Sequence, residues 1–150
     1  VMSDGTGVVL VLSQDVVMEL KRAPRNFGEL AGATQRARGH SPSCGDDIEV
    51  MLELGEGQVK DIRFSGHGCA ICMASTSMMT EAVRGRDTDF ARDLQRRFRG
   101  VMTGEIEPEA AHLGKLISLA GVRRYPNRIK CALLGWHALM RALEDADAKA

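Results

Sequence analysis

Residues 48–54 (IEVMLEL) alternate, with Ile48, Val50, Leu52 and Leu54 on one side and Glu49, Met51 and Glu53 on the other. A period of two with one apolar side is the pattern of a half-buried strand in an antiparallel sheet. GEGQ (55–58) then reads as a turn, and VKDIRFSG (59–66) as the return strand of a hairpin, with Ile62 and Phe64 inward. TQRARGHS (34–41) predicts a weaker third strand.

From residue 70 the period becomes helical. CMASTSMMTEAVRG (72–85) places Ser75, Met78, Met79, Ala82 and Val83 together and ends at Gly85. DTDFARDLQRRFRG (87–100) carries the stripe Phe90, Leu94, Phe98. EPEAAHLGKLISLAG (107–121) predicts a helix with Pro108 near its first position and a stop at Gly121. The last helix starts at Pro126, with Ile129, Leu133, Trp136, Met140 and Leu143 as its apolar stripe. Upstream, SQDVVMELKR (13–22) predicts a helix capped by Ser13, and VVLVL (8–12) is ambiguous between a helix extension and a short strand. APRNFGELAGA (23–33) reads as a loop. Strands first and helices after predict an α+β fold: a small three-stranded antiparallel sheet packed against about five helices. Residues 1–150 are expected to form a single domain, with 1–12 as a flexible N-terminal extension.

Composition narrows the function. Apolar residues are 44% and charged residues 27% of the 150, the balance of an ordinary globular protein. Lys+Arg and Asp+Glu are both 20, so no cationic surplus exists for neutralising phosphates, and a nucleic-acid partner is not expected. One Trp, one Tyr and four Phe are too few for a base-stacking platform. The longest apolar run, VVLVL, is far short of the about 20 residues that span a bilayer. It also lacks the flanks of a signal peptide, so a cytoplasmic location and no membrane partner are expected. In that compartment thiols stay reduced, and four cysteines point to metal or catalysis rather than disulfides.

Cys44 sits in GHSPSCGDDIE, in the turn before the first clear strand. Cys69 follows GHG at the end of the return strand, Cys72 is one helical turn on, and Cys131 opens the last helix. Their separations are 25, 3 and 59 residues, with one short Cys-x-x-Cys pair where a small zinc finger has two. A metal here would therefore be held by loops of a domain with its own core, at the ends of elements along one edge. The donors most readily assembled are Cys44, Asp46, Cys69 and Cys131. Thiolates suit zinc or iron, and a carboxylate oxygen is the weaker ligand that can let go. Three thiolates and a carboxylate on a divalent ion leave a charge of about −2, which the neighbouring Arg128 and Lys130 and the amino end of the last helix would stabilise. The blander readings stay open. A single cysteine is often a small buried hydrophobe. Gly45-Asp46 is also ordinary turn chemistry. CAIC (69–72) has the spacing of a redox dithiol, although no thioredoxin-like βαβ pattern surrounds it. His67 could serve as an alternative ligand, whereas His40, His112 and His137 read as surface or turn residues.

PRNFGEL, GHSPSCGDDIEV, DIRFSGHGCAIC, ASTSMMTE and RYPNRIKCALLGWHAL together resemble the NifU N-terminal, IscU and SufU family of iron–sulfur cluster assembly proteins, over roughly residues 13–143. Within it the chain resembles the SufU-like branch. The stretch RRFRGVMTGEIEPEAAH is similar to the insertion of that branch, and Lys130 stands where IscU-type members carry a histidine ligand. The resemblance implies zinc bound by Cys44, Asp46, Cys69 and Cys131, with Arg128 near the metal and a cysteine desulfurase as partner. Cys44 would be the acceptor of persulfide sulfur, which makes the chain a sulfurtransferase acting with that enzyme. The alternative is a non-enzymatic scaffold on which Cys44, Cys69 and Cys131 hold a transient [2Fe–2S] cluster for iron–sulfur apo-proteins or a further scaffold. A third reading is a zinc site that only clamps loops. Two positions depart from the family pattern. Cys72 replaces the serine usual in SufU-like members and could substitute for Asp46, resolve a persulfide, or merely pack. Leu20 and Lys21 occupy the place of the usual aromatic and histidine pattern.

Overall fold

The computed structural model describes residues 14–43 and 45–149. Helix α1 (Gln14–Arg22) leads into strands β1 (Gln35–Ser41), β2 (Asp46–Gly55) and β3 (Gln58–His67). Helices α2 (Ala70–Val83) and α3 (Thr88–Thr103) follow, then two 3-10 stretches (Pro108–Ala110 and Gly114–Arg124) and helix α4 (Pro126–Lys149). The strands form one antiparallel sheet in the order β1-β2-β3, so the expected α+β architecture is what the chain adopts. The 3-10 stretches occupy the place of the fifth helix. Ser13, the run 8–12 and the extension 1–12 lie outside the described residues. Among those described, no helix is long and apolar enough to cross a membrane.

The alternation of β2 is realised as predicted on its inner face, where Ile48, Val50 and Leu52 are fully buried beside Val59, Ile62 and Phe64 of β3. Met51, on the opposite face, is buried as well. Its direct cross-strand neighbours are Arg36 and Arg63, whose aliphatic stems are long enough to cover it. The free edge of β3 is closed by the loop after α1: Gly28 N–H donates to Phe64 O, and Phe64 N–H to Asn26 O. Phe27 then meets Phe64 edge-on at 5.2 Å between ring centroids.

Helix α2 is apolar or small on nearly every side because it is the central helix, packed against α1, α4 and β3. Of its buried hydroxyls, those of Ser75, Ser77 and Thr80 are hydrogen-bonded, whereas Thr76 Oγ1 is buried without a partner. Ser75 Oγ donates to Ala132 O at 2.6 Å and accepts from Trp136 Nε1 at 3.1 Å, which locks α2 to α4. The two helices come close where Gly135 has no side chain: a Cβ there would stand 2.3 Å from Thr76 Oγ1. Trp136 also stacks on Phe98, so the α3 stripe closes the same core. Asp87 caps α3 by accepting from Phe90 N–H at 2.7 Å.

The segment 107–121 departs from expectation. It is not one α-helix but two 3-10 stretches interrupted at 111–113, with His112 at φ 50° and Gly114 at φ 59°. The cause is visible in α3: Arg97 Nη1 takes the carbonyls of Ala111 and His112 at 2.6 and 2.7 Å. Those acceptors are thereby withdrawn from a continuing helical ladder.

Candidate metal centre

Three elements end at one corner. The β1–β2 turn passes through Gly45 in the left-handed region (φ 70°) and delivers Asp46 as the first residue of β2. Gly68, just past the end of β3, leads to Cys69, which caps α2: its sulfur accepts the Cys72 N–H at 3.5 Å. The second turn of α4 delivers Cys131, whose thiol points toward Asn127 O at 3.9 Å. Asp46 Oδ1 accepts the Cys69 N–H at 2.8 Å, so carboxylate and thiol are joined through the backbone. Among the described residues, Asp46, Cys69 and Cys131 form a group whose ligand atoms all lie within 4.8 Å of one another. Asp46 and Cys131 are buried, and Cys69 is partly exposed.

Cations surround this group. Arg128, in the first turn of α4, lies within hydrogen-bond reach of Cys131 and Cys69, and its hydrogen bond to Cys131, followed by charge interactions with Cys69 and Cys131, raises its guanidinium above the ordinary value. Lys130 reaches Ser43 Oγ at 3.0 Å and ties α4 to the chain just after β1. Lys21 donates to Gly68 O at 2.7 Å, so α1 fixes the loop before Cys69. A cavity of about 300 Å³, lined by Gln14, Ile71, Val122, Tyr125 and Arg128, opens beside the guanidinium.

Of the sequence-predicted residues, Asp46, Cys69, Cys131 and Arg128 come together, and Cys44 lies outside the described residues. Cys72 is buried one turn into α2, and burial, followed by the negative charges of Asp46, Cys69 and Cys131, pushes its thiol pKa strongly up. His67 does not join the group: it sits cross-strand from Asp47, in a shallow cavity with Arg38 and Glu49. Sequence reasoning missed Gly68. A Cβ there would stand 3.0 Å from Cys72 Sγ and 3.1 Å from Asp46 Oδ1, so the missing side chain makes room for the donors. The glycine of GHG just before a cysteine was the signal that could have found it.

The donor set can be tested against an ion. A tetrahedral site with bonds of about 2.0–2.3 Å has donors roughly 3.3–3.8 Å apart, which falls inside the 4.8 Å that bounds this group, and two thiols with one carboxylate are the donor types zinc and iron accept.

Residues 12–149 match the NifU-like N terminal domain. The chain belongs to that family. It is 38% identical over 132 residues to the zinc-dependent sulfurtransferase SufU of Bacillus subtilis, covering 88% of this chain and 89% of that one. It is also 38% identical over 129 residues to the iron–sulfur cluster assembly scaffold protein IscU of Streptococcus pyogenes, covering 86% and 80%. The crystal structure of FiSufU from Fervidobacterium islandicum superposes with a TM-score of 0.82 at 31% identity, covering 88% of this chain and 96% of that one. The family resemblance and the three-stranded α+β fold expected from sequence are thus both met.

Proposed function

We propose that this member of the family is a zinc-dependent sulfur acceptor that works with a cysteine desulfurase in iron–sulfur cluster assembly. The carrying observation is the convergence of Asp46, Cys69 and Cys131 within 4.8 Å, with Arg128 against the two sulfurs. The similarity to a sulfurtransferase named zinc-dependent supports the choice of metal. Cys44, two residues before Asp46, is the fourth ligand and the acceptor.

When bound, zinc holds thiols as thiolates at neutral pH. Asp46 and Cys69 keep each other in place through the Cys69 N–H, and Arg128 offsets the negative charge of the corner. The Cys44 thiolate attacks the terminal sulfur of the donor's persulfide. One S–S bond breaks as another forms, and the donor cysteine leaves as thiolate, with no net oxidation. The guanidinium beside the cavity suits an incoming anionic persulfide. The site is expected to act in the cytoplasm.

A second reading has its own support, since an IscU scaffold is as similar in identity. There Cys44, Cys69 and Cys131 would carry a [2Fe–2S] cluster for apo-proteins. One experiment separates the two. The protein is incubated with a cysteine desulfurase and cysteine, then digested and weighed peptide by peptide. One added sulfur on Cys44, lost in Cys44→Ala, is the expected result. An unmodified Cys44 beside an active desulfurase, with a stable brown form after anaerobic iron and sulfide, would favour the scaffold.

A further inference from the structure

The zinc reading leaves one cysteine without a task. We propose that Cys72 is a reserve metal donor: its thiol takes the coordination position of Cys44, so that Asp46, Cys69, Cys72 and Cys131 keep the ion while Cys44 carries sulfur. The proposal rests on the zinc reading and deepens it.

A residue that is both ligand and nucleophile poses a problem of coordination. While its sulfur is engaged in transfer, a four-coordinate ion retains three protein donors. A second thiol close behind closes the gap, and Cys72 has that position. It follows Cys69 by three residues on the first turn of α2, and its N–H already donates to the Cys69 sulfur. Cys-x-x-Cys is the spacing by which a chain brings two thiolates to one tetrahedral ion.

The sulfur of Cys72 and Oδ1 of Asp46 lie 3.0 and 3.1 Å from one point, where a Gly68 Cβ would stand. The thiol therefore borders the donor group from the α2 side, although it is not among the three atoms gathered within 4.8 Å. A change of staggered rotamer moves a thiol sulfur by roughly 3 Å, which is the motion the reserve role calls for. Complete burial also suits a reserve ligand, because it keeps Cys72 from competing with Cys44 for a partner's persulfide.

The test uses wild type, Cys44→Ser, Cys72→Ser and the double variant. Each is titrated with zinc against a chromophoric chelator, and cobalt(II) is substituted to gauge thiolate number from the sulfur-to-cobalt absorption. Cys44→Ser should retain one zinc and a cobalt band of wild-type intensity. The double variant should bind more weakly than Cys44→Ser by more than roughly 100-fold, beyond the effect of an outer-shell change. In a second measurement, Cys44 is loaded with sulfur by a desulfurase, after which Cys72→Ser should release zinc to the chelator and wild type should hold it. Equal affinities in Cys44→Ser and the double variant overturn the proposal, as does a cobalt band already reduced in Cys44→Ser. If the double variant does not fold, the Cys44→Ser spectrum and the release measurement decide. A wild type that binds no zinc removes the zinc reading itself, and the reserve role with it.

Discussion

The interior around Trp136 and the corner around Cys69 are built from the same two helices by opposite rules. In the interior the polar groups beside Trp136 are paired with one another: the Trp136 N–H goes to Ser75, and the Ser75 hydroxyl goes on to Ala132 O. In the corner, groups that carry negative charge when ionised are crowded within 4.8 Å, with Arg128 as the nearby counterweight. The first arrangement is complete without any visitor. The second becomes favourable once a cation enters, because thiolates and a carboxylate at that spacing repel one another. The interior accounts for the fold, and the corner for the metal site proposed above.

Four outcomes sharpen or break that contrast. The largest effect belongs to Trp136→Ala, which empties the space against Phe98 and should cost about 3–5 kcal/mol in urea unfolding of the metal-free protein. A loss under ~1 kcal/mol would mean the interior does not carry the fold. Next is metal removal: with free zinc at 100 times its dissociation constant, chelation should lower stability by about 2.7 kcal/mol, and the melting midpoint should follow zinc concentration. A midpoint indifferent to zinc contradicts the picture of the corner. Ser75→Ala strands the Trp136 N–H and should cost about 1–3 kcal/mol, with zinc affinity unchanged. The smallest effect is Gly68→Ala. Its new methyl presses on Cys72 Sγ and Asp46 Oδ1, so zinc affinity should fall about tenfold while metal-free stability moves by less than ~1 kcal/mol. Chelator competition and urea titration on the same sample separate these last two.

Much of this was legible in the chain. The alternation of 48–54, the Phe90–Leu94–Phe98 stripe and the Pro126 start all survive, because each reflects one element meeting one apolar interior. Residues 107–121 were misread as an α-helix because their fate depends on Arg97, a cation on another helix that captures their carbonyls. Met51 looked outward by period and is buried, between Arg36 and Arg63 on the neighbouring strands. At the site, cysteine spacing together with Gly45-Asp46 pointed to the donors. The close approaches that Gly68 and Gly135 permit were not legible, since they are properties of pairs of segments distant in sequence.

Gly135 carries a wider consequence. It stands one turn beyond Cys131, and its neighbour Thr76 stands one turn beyond Cys72, so the point where α2 and α4 touch lies directly beneath the sulfurs. A single added methyl at 135 would act as a wedge between the two rods, and the gap at the top, where Cys69 and Cys131 face each other, would widen with it. The reach of the sulfurs across the corner is thus gauged by a hydrogen atom deep in the protein, out of contact with any ligand.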